Sequence, residues 1–221
     1  MKKIIAIILC AFMALPLLAC GGEVEPAEPT PVPDEQETDT PADEPTEKPA
    51  EQPFYAFDEN TLEYSDDYLE FILPEGYSVI KDTTADYNGA YERFMSFTSP
   101  DPALQANSVN YNVSGPAAEG EKTPLEEMTK EYLEVLFKSQ LEQAFQTEVQ
   151  IDTVNYEFTS LESCPAIIYE YTLHVKDSVV NQIVVMIEEG DMGLSITYTF
   201  NEEDWEPWRE SVETIIPAAV R

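Results

Sequence analysis

Histidine is almost absent from this sequence: His174 is the single one among 221 residues, which excludes any site built on two imidazoles. Bases are scarce as well. Eleven Lys and Arg stand against 44 Asp and Glu, a formal net charge of −33. Such a surface repels nucleic acid and anionic lipid, because binding either depends on neutralising phosphates with Lys and Arg, so both are excluded as direct ligands. Cysteine occurs only as Cys10, Cys20 and Cys164. There is no Gly-x-Ser-x-Gly elbow, no phosphate loop and no His-Glu-x-x-His pattern.

The N-terminus is a segment of its own. Lys2 and Lys3 precede an uncharged apolar run from Ile4 to Ala19, interrupted only by Pro16. That layout is a signal peptide, and the run is shorter than the roughly 20 residues a membrane-spanning helix needs. Its last residues, Leu17, Leu18, Ala19 and Cys20, resemble the bacterial lipobox, in which a small residue precedes a cysteine that is lipidated before cleavage. The resemblance implies cleavage between Ala19 and Cys20 and a lipid on the Cys20 thiol, with two acyl chains holding the protein stably where one would hold it marginally. Cys10 then leaves with the signal, and Cys164 remains as a lone thiol, read as core, with no disulfide and no cysteine metal site.

Residues 21–53 carry eight prolines, eleven acids and one base, Lys48, with no aromatic residue. Such a composition cannot bury enough apolar surface to fold and forms a disordered acidic stalk, reaching between roughly 30 Å as a coil and roughly 100 Å as extended polyproline. The organisation expected is therefore a signal peptide at 1–19, a lipidated Cys20 with its stalk at 20–53, and a globular domain at 54–221. That domain retains 33 acids and 8 bases, a formal charge of −25. Its acidity would attract cationic partners or divalent ions, although it also serves solubility.

Within the domain a period of two dominates. Ile167, Tyr169, Tyr171, Leu173 and Val175 alternate with Glu170, Thr172, His174 and Lys176; Leu194 to Phe200, Val109 to Val113, and Val154, Tyr156, Phe158 repeat the pattern. These are half-buried strands. Shorter strands are expected at Leu69 to Leu73, Tyr77 to Ile80 and Arg93 to Thr98. The apolar run Val179 to Ile187 reads as a central strand covered on both faces, and Glu189, Gly190, Asp191 as a hairpin turn. Thr123, Pro124 and Glu126 form the start of a helix whose packed face is Leu125, Met128, Tyr132, Val135 and Leu136, extended by Leu141 and Phe145, with Glu126–Lys130 and Glu134–Lys138 at supportive spacing. A second helix is expected from Trp205, Trp208, Val212, Ile215 and Ile216. The fold class is α+β: a mainly antiparallel sheet of about six to eight strands packed by two principal helices.

The chemistry this sequence offers is a polar sheet face. Asn110, Asn112, Asn155, Glu157, Glu170, Thr172, His174, Thr197 and Thr199 are expected on one side of the sheet, as a broad recognition surface or as a merely solvated face. Carboxylate pairs are plentiful: Asp66 with Asp67, Asp82 with Asp86, and Glu202, Glu203, Asp204. None has the spacing of a twelve-residue calcium loop; the last group suits a helix start, and Asp66 and Asp67 suit a turn between strands. No catalytic residue, metal ligand or cofactor is assigned.

The order of these features resembles the PsbP-like superfamily, which includes DcrB-like bacterial lipoproteins. The resemblance covers about Tyr68 to Ile216 and rests on Phe71-Ile72-Leu73-Pro74-Glu75-Gly76-Tyr77, on the long central helix, and on Ser195-Ile196-Thr197-Tyr198-Thr199-Phe200 leading into the helix that closes with Ile215 and Ile216. Pro74 and Gly76 read as positions i+1 and i+3 of a type I turn. The resemblance implies an α/β/α sandwich and an accessory or protein-binding role. The reading is an exported lipoprotein facing outward from the cell membrane, or from the outer membrane of a double-membrane cell, that binds an envelope or surface protein without catalysing a reaction. A small-molecule or divalent-cation binding lipoprotein is the alternative, and a carboxylate-based hydrolase the third. If Cys20 carries the anchor, Cys20→Ala moves the chain out of the washed membrane fraction or halts it as uncleaved precursor. Normal cleavage and full membrane retention of the variant would refute the lipid assignment.

Overall fold

A computed structural model describes residues 54–104, 107–115, 123–202, 204–205 and 209, and the backbone of 219–220. Three long hairpins form more than half of its main sheet, because four successive runs of ten to twelve residues with period-two apolar patterning are joined by two-residue turns. They are β7 (Gln150–Leu161), β8 (Cys164–Val175), β9 (Ser178–Glu189) and β10 (Met192–Asn201). Glu162 and Ser163, Lys176, and Gly190 supply the positive φ those turns demand. Ahead of them come β4 (Val79–Asp82), β5 (Arg93–Thr98) and β6 (Ser108–Ser114), completing an antiparallel seven-stranded sheet in the order β4-β5-β6-β10-β9-β8-β7. β9 lies well inside it, and Asn181 to Ile187 are all buried, as the apolar run required.

A second sheet covers one face. It has the order β1-β2-β3-β11, from β1 (Ala56–Asp58), β2 (Glu63–Ser65), β3 (Leu69–Ile72) and β11 (Ala219–Val220). Between the sheets lies a core containing Tyr64, Leu69, Phe71, Phe97, Tyr111, Val185, Ile196 and Tyr198. Strands of two or three residues carry too little periodicity to be read from sequence, so β1, β2 and β11 went unanticipated. β4 begins two residues later than expected. Tyr77 belongs to a turn closed by its own N–H on Pro74 O at 3.1 Å, and Gly76 sits at φ +85. Pro74 is therefore position i and Gly76 position i+2 of a type II turn, which requires the positive φ that glycine tolerates.

The opposite face carries the helix α1 (Lys130–Phe145) and a second core of Leu133, Phe137, Leu141, Tyr169, Tyr171, Val184 and Met186. Phe137 stacks on Tyr169 at 5.6 Å and on Tyr171 at 5.7 Å. Burial of Leu133, Phe137 and Leu141 stabilises the docking by about 1.5–3 kcal/mol each. The helix starts later than Thr123. Leu125–Glu127 form a 3-10 turn, and Thr129 caps α1 by accepting from Tyr132 N. Leu125 and Met128 are both buried, and their backbone is engaged elsewhere: Leu125 N donates to Glu188 at 2.9 Å, and Tyr156 Oη donates to Met128 O at 2.7 Å. This delay rotates the packed face, leaving Tyr132 and Val135 exposed. The ion pairs are accordingly Lys130–Glu134 and Lys138–Glu142, and not Glu126–Lys130 and Glu134–Lys138. After β10, Trp205 and Arg209 are helical and Trp205 packs on Phe200; Trp208, Val212, Ile215 and Ile216 lie outside the described residues. So do residues 1–53, on which the signal peptide, the lipidated Cys20 and the stalk are expected.

The two sheets are tied by a buried carboxylate. Asp66, at the β2–β3 turn, accepts from Tyr68 N and Leu69 N at 2.9 and 3.0 Å, from Tyr64 Oη at 3.2 Å, from Tyr111 Oη at 3.3 Å, and from Arg93 Nη1 at 3.1 Å. Arg93 belongs to β5 and Tyr111 to β6, so one side chain joins the small sheet to two strands of the large one. Arg93 is sandwiched further, its guanidinium 3.6 Å above the Phe54 ring and 5.5 Å from Tyr68. Removing the acid strands a cation and two phenols in the interior, so Asp66→Ala should cost about 3–5 kcal/mol in urea unfolding, and Asp66→Asn, which keeps an acceptor for the turn amides, less. Equal costs, or a loss below about 1 kcal/mol for Ala, would contradict this role.

Tyrosines also give the fold an alkaline limit. Burial first, and the charge of Asp66 second, push the Tyr64 and Tyr111 hydroxyls up; burial does the same to Tyr171 and Tyr198. A native pKa above the unfolded value of 10.0 contributes stability that is complete below that pH and lost as pH rises towards the native values. Urea midpoints should therefore fall steadily above about pH 10, with tyrosinate absorbance appearing together with unfolding. A midpoint flat through that range would refute the prediction.

Candidate functional site

The polar strand residues do not share one face. Directly paired residues in an antiparallel sheet point the same way. Asn110 pairs with Thr197, Thr197 with Val184, and Val184 with Tyr169, which places Asn110, Asn112, Thr197 and Thr199 on the helix side. Glu170, Thr172 and His174 alternate with Tyr169 and Tyr171 and so lie on the side of the small sheet, together with Asn155 and Glu157. The single recognition face is thereby corrected. Alternation within a strand gives two faces, and only the register between strands says which halves match.

Nor are most of these residues wet. Asn110, Asn112, Thr197, Thr199 and Glu170 are buried. Asn112 Nδ2 donates to Ser195 Oγ at 2.8 Å, Gln182 Nε2 donates to Thr199 Oγ1 at 2.9 Å, and Thr172 Oγ1 donates to Asn181 Oδ1 at 2.7 Å. Glu170 forms an ion pair with Arg209 at 3.2 Å. His174 is half-exposed and lies 3.0 Å from Asp152 Oδ2. The Asp152 carboxyl is held below its ordinary value, first by the Gln150 amide and then by His174. Among the described residues no serine or threonine hydrogen-bonds His174, and its pair with Asp152 bridges β7 and β8 at the sheet edge.

Three of the paired carboxylates, Asp66, Asp82 and Asp204, are held in local structure, while Asp67, Asp86 and Glu202 are exposed. Asp66 is the inter-sheet tie. Asp82 accepts from the Thr84 amide and hydroxyl, and Asp204 accepts from Asn107 Nδ2 at 2.9 Å. Glu203 lies outside the described residues. Among those described, no group of three His, Cys, Asp or Glu converges where a metal ion could sit. Cys164 is the first residue of β8 and partly buried against the inter-sheet core, and burial, then Glu189, pushes its thiol up, away from the reactive thiolate.

Two concavities lie on the helix-bearing side of the sheet. A cleft of about 50 Å³ lies between the turn before α1 and the ends of β6, β9 and β10, lined by Asn112, Leu125, Met128, Met186 and Ser195 among others. It is far below the roughly 300 Å³ at which pockets for metabolites begin. The second is an open groove of about 400 Å³ between α1 and the start of β7, edged by Glu134, Val135, Lys138, Glu148 and Ile151.

Beside that groove runs the outer edge of the sheet. β7 is the last strand, and among the described residues no strand pairs with its outer side. Its twelve residues are all exposed or half-buried, and a bulge between Thr153 and Asn155 interrupts the register. The expected alternation of Val154, Tyr156 and Phe158 is broken there, and Val154 and Phe158 are about half-exposed. Seven large apolar side chains stay exposed among the described residues, and four of them, Tyr132, Val135, Val154 and Phe158, belong to α1 and β7. Thr153 Oγ1 donates to Glu134, joining the two elements. The sequence hint to this surface was the pair of acids Asp152 and Glu157 inside an apolar strand, since charges mark edges.

No family model and no curated protein matches the chain. Solved structures do. The solution structure of cyanobacterial PsbP (CyanoP) from Synechocystis sp. PCC 6803 superposes with a TM-score of 0.57 at 18% identity, covering 72% of this chain and 91% of that one. A Pseudomonas aeruginosa protein of unknown function, PA94, aligns at 18% identity over 67% of this chain and 90% of its own, with a TM-score of 0.36 that is too low to bear on the fold. A mostly antiparallel sheet with a helix on one face and a small sheet on the other is thus the PsbP-like fold in this chain.

Proposed function

We propose that this chain is an exported lipoprotein, anchored by lipid on Cys20 and held out on an acidic stalk, whose PsbP-like domain works as a non-enzymatic accessory module by binding an envelope or surface protein. The observation that carries the reading is the α1–β7 surface: an unpaired strand edge, exposed apolar side chains and an open groove in one place. Surfaces of this kind serve proteins, which cover wide shallow areas, better than metabolites, which need enclosure. The cleft beside Asn112 is too small to favour small-molecule binding, and in each carboxylate pair that a hydrolase could use one member, Asp66, Asp82 or Asp204, is engaged as a cap or tie. CyanoP lends the fold and nothing of its own activity, since fold alone does not carry function.

Crosslinking on intact cells tests this, comparing the anchored full chain with a chain carrying only residues 1–53. A protein joined reproducibly to the full chain and absent from the control is the expected result. Recovery of the same material from both would overturn the reading.

A further inference from the structure

Building on that reading, the geometry points to the chemistry of the partner: we propose that the outer edge of β7 takes up an extended segment of a cationic protein, in which apolar residues alternate with lysine or arginine. Past the bulge, 155–161 offers seven residues of regular edge, enough to template an added strand of ordinary length. Its two faces differ. Tyr156 and Phe158 lie on the helix side, paired with Tyr169 and Ile167, while Asn155, Glu157 and Thr159 lie on the other. An added strand presents its side chains alternately to those faces. Apolar residues would therefore meet Tyr156 and Phe158, and basic ones would meet Glu157.

Charge decides among occupants. A second copy would set its own Asp152 and Glu157 along the same edge and bring another formal −25 with them; the chain's own segment 21–53 has eleven acids and one base. Both are repelled by an edge flanked by Glu148, Asp152 and Glu157, with Glu134 beside them paired to Lys130. Lys138 on the groove is itself paired to Glu142 at 3.7 Å. The acids that protect this edge from copies of the chain are the ones that would draw in a cationic strand.

The test uses the full chain in detergent and a synthetic peptide of about eight residues alternating valine with lysine, bearing a photoreactive group. Saturable binding that weakens with added salt is expected, with crosslinks falling between 150 and 161. Phe158→Ser and Glu157→Lys, each first shown to keep the parent's urea midpoint, should each weaken binding about tenfold. A valine–glutamate peptide bound as tightly, crosslinks outside β7, no saturable binding, or a chain that dimerises through β7 would each overturn the proposal. A partner captured on cells that is retained by both variants would refute this edge while leaving the accessory-module reading intact.

Discussion

A single buried carboxylate governs how this domain is assembled. Asp66 holds its own turn through two amide donors, two tyrosine hydroxyls and Arg93, and those donors come from β2, β5 and β6 as well as from the turn itself. An uncompensated charge in this core would be prohibitive, so the small sheet can dock in only the register that brings Asp66 to Arg93. Tyr64 reports the consequence: it hydrogen-bonds Asp66 while its ring packs on Phe71, Phe97 and Tyr111 at 5.1–6.0 Å. Polar specificity and aromatic packing are supplied by the same side chains.

From that tie follows the asymmetry on which the functional reading rests. One face of the seven-stranded sheet is closed by the small sheet across β5, β6, β10 and β9. On the other face α1 sits towards β7 and β8, where Phe137 meets the two tyrosines of β8. The far strand β7 is left with one partner and half-exposed side chains. A rigid interior with a soft edge suits a module that recognises extended protein segments, because the scaffold contributes order and the edge contributes unsatisfied backbone.

Much of this was legible in the sequence, and the part that was not has physical causes. Long strands such as β8, β9 and β10 declare themselves by a period of two sustained over ten or more residues, and the Gly190 turn by its composition. Leu133 and Phe137 were hidden because Leu125 and Met128, at helical spacing from Tyr132, suggested a continuous helix; tertiary bonds to Glu188 and Tyr156 divert that segment. Asn110 and His174 looked alike as polar strand positions, yet register sends them to opposite faces. Asp66 was readable as a turn residue, but its link to Arg93, 27 residues away, is visible only in three dimensions. The edge position of β7 has the same standing, since strand order is not encoded in any one strand's pattern.

Native-state hydrogen exchange on the unliganded full chain tests the central claim most directly. The account predicts that amides of β9 and β10 exchange only with global unfolding, while those of β7 that face away from β8 exchange rapidly, including along 155–161. Protection of all β7 amides to the level of β9 would mean that the edge is covered, and would contradict the account.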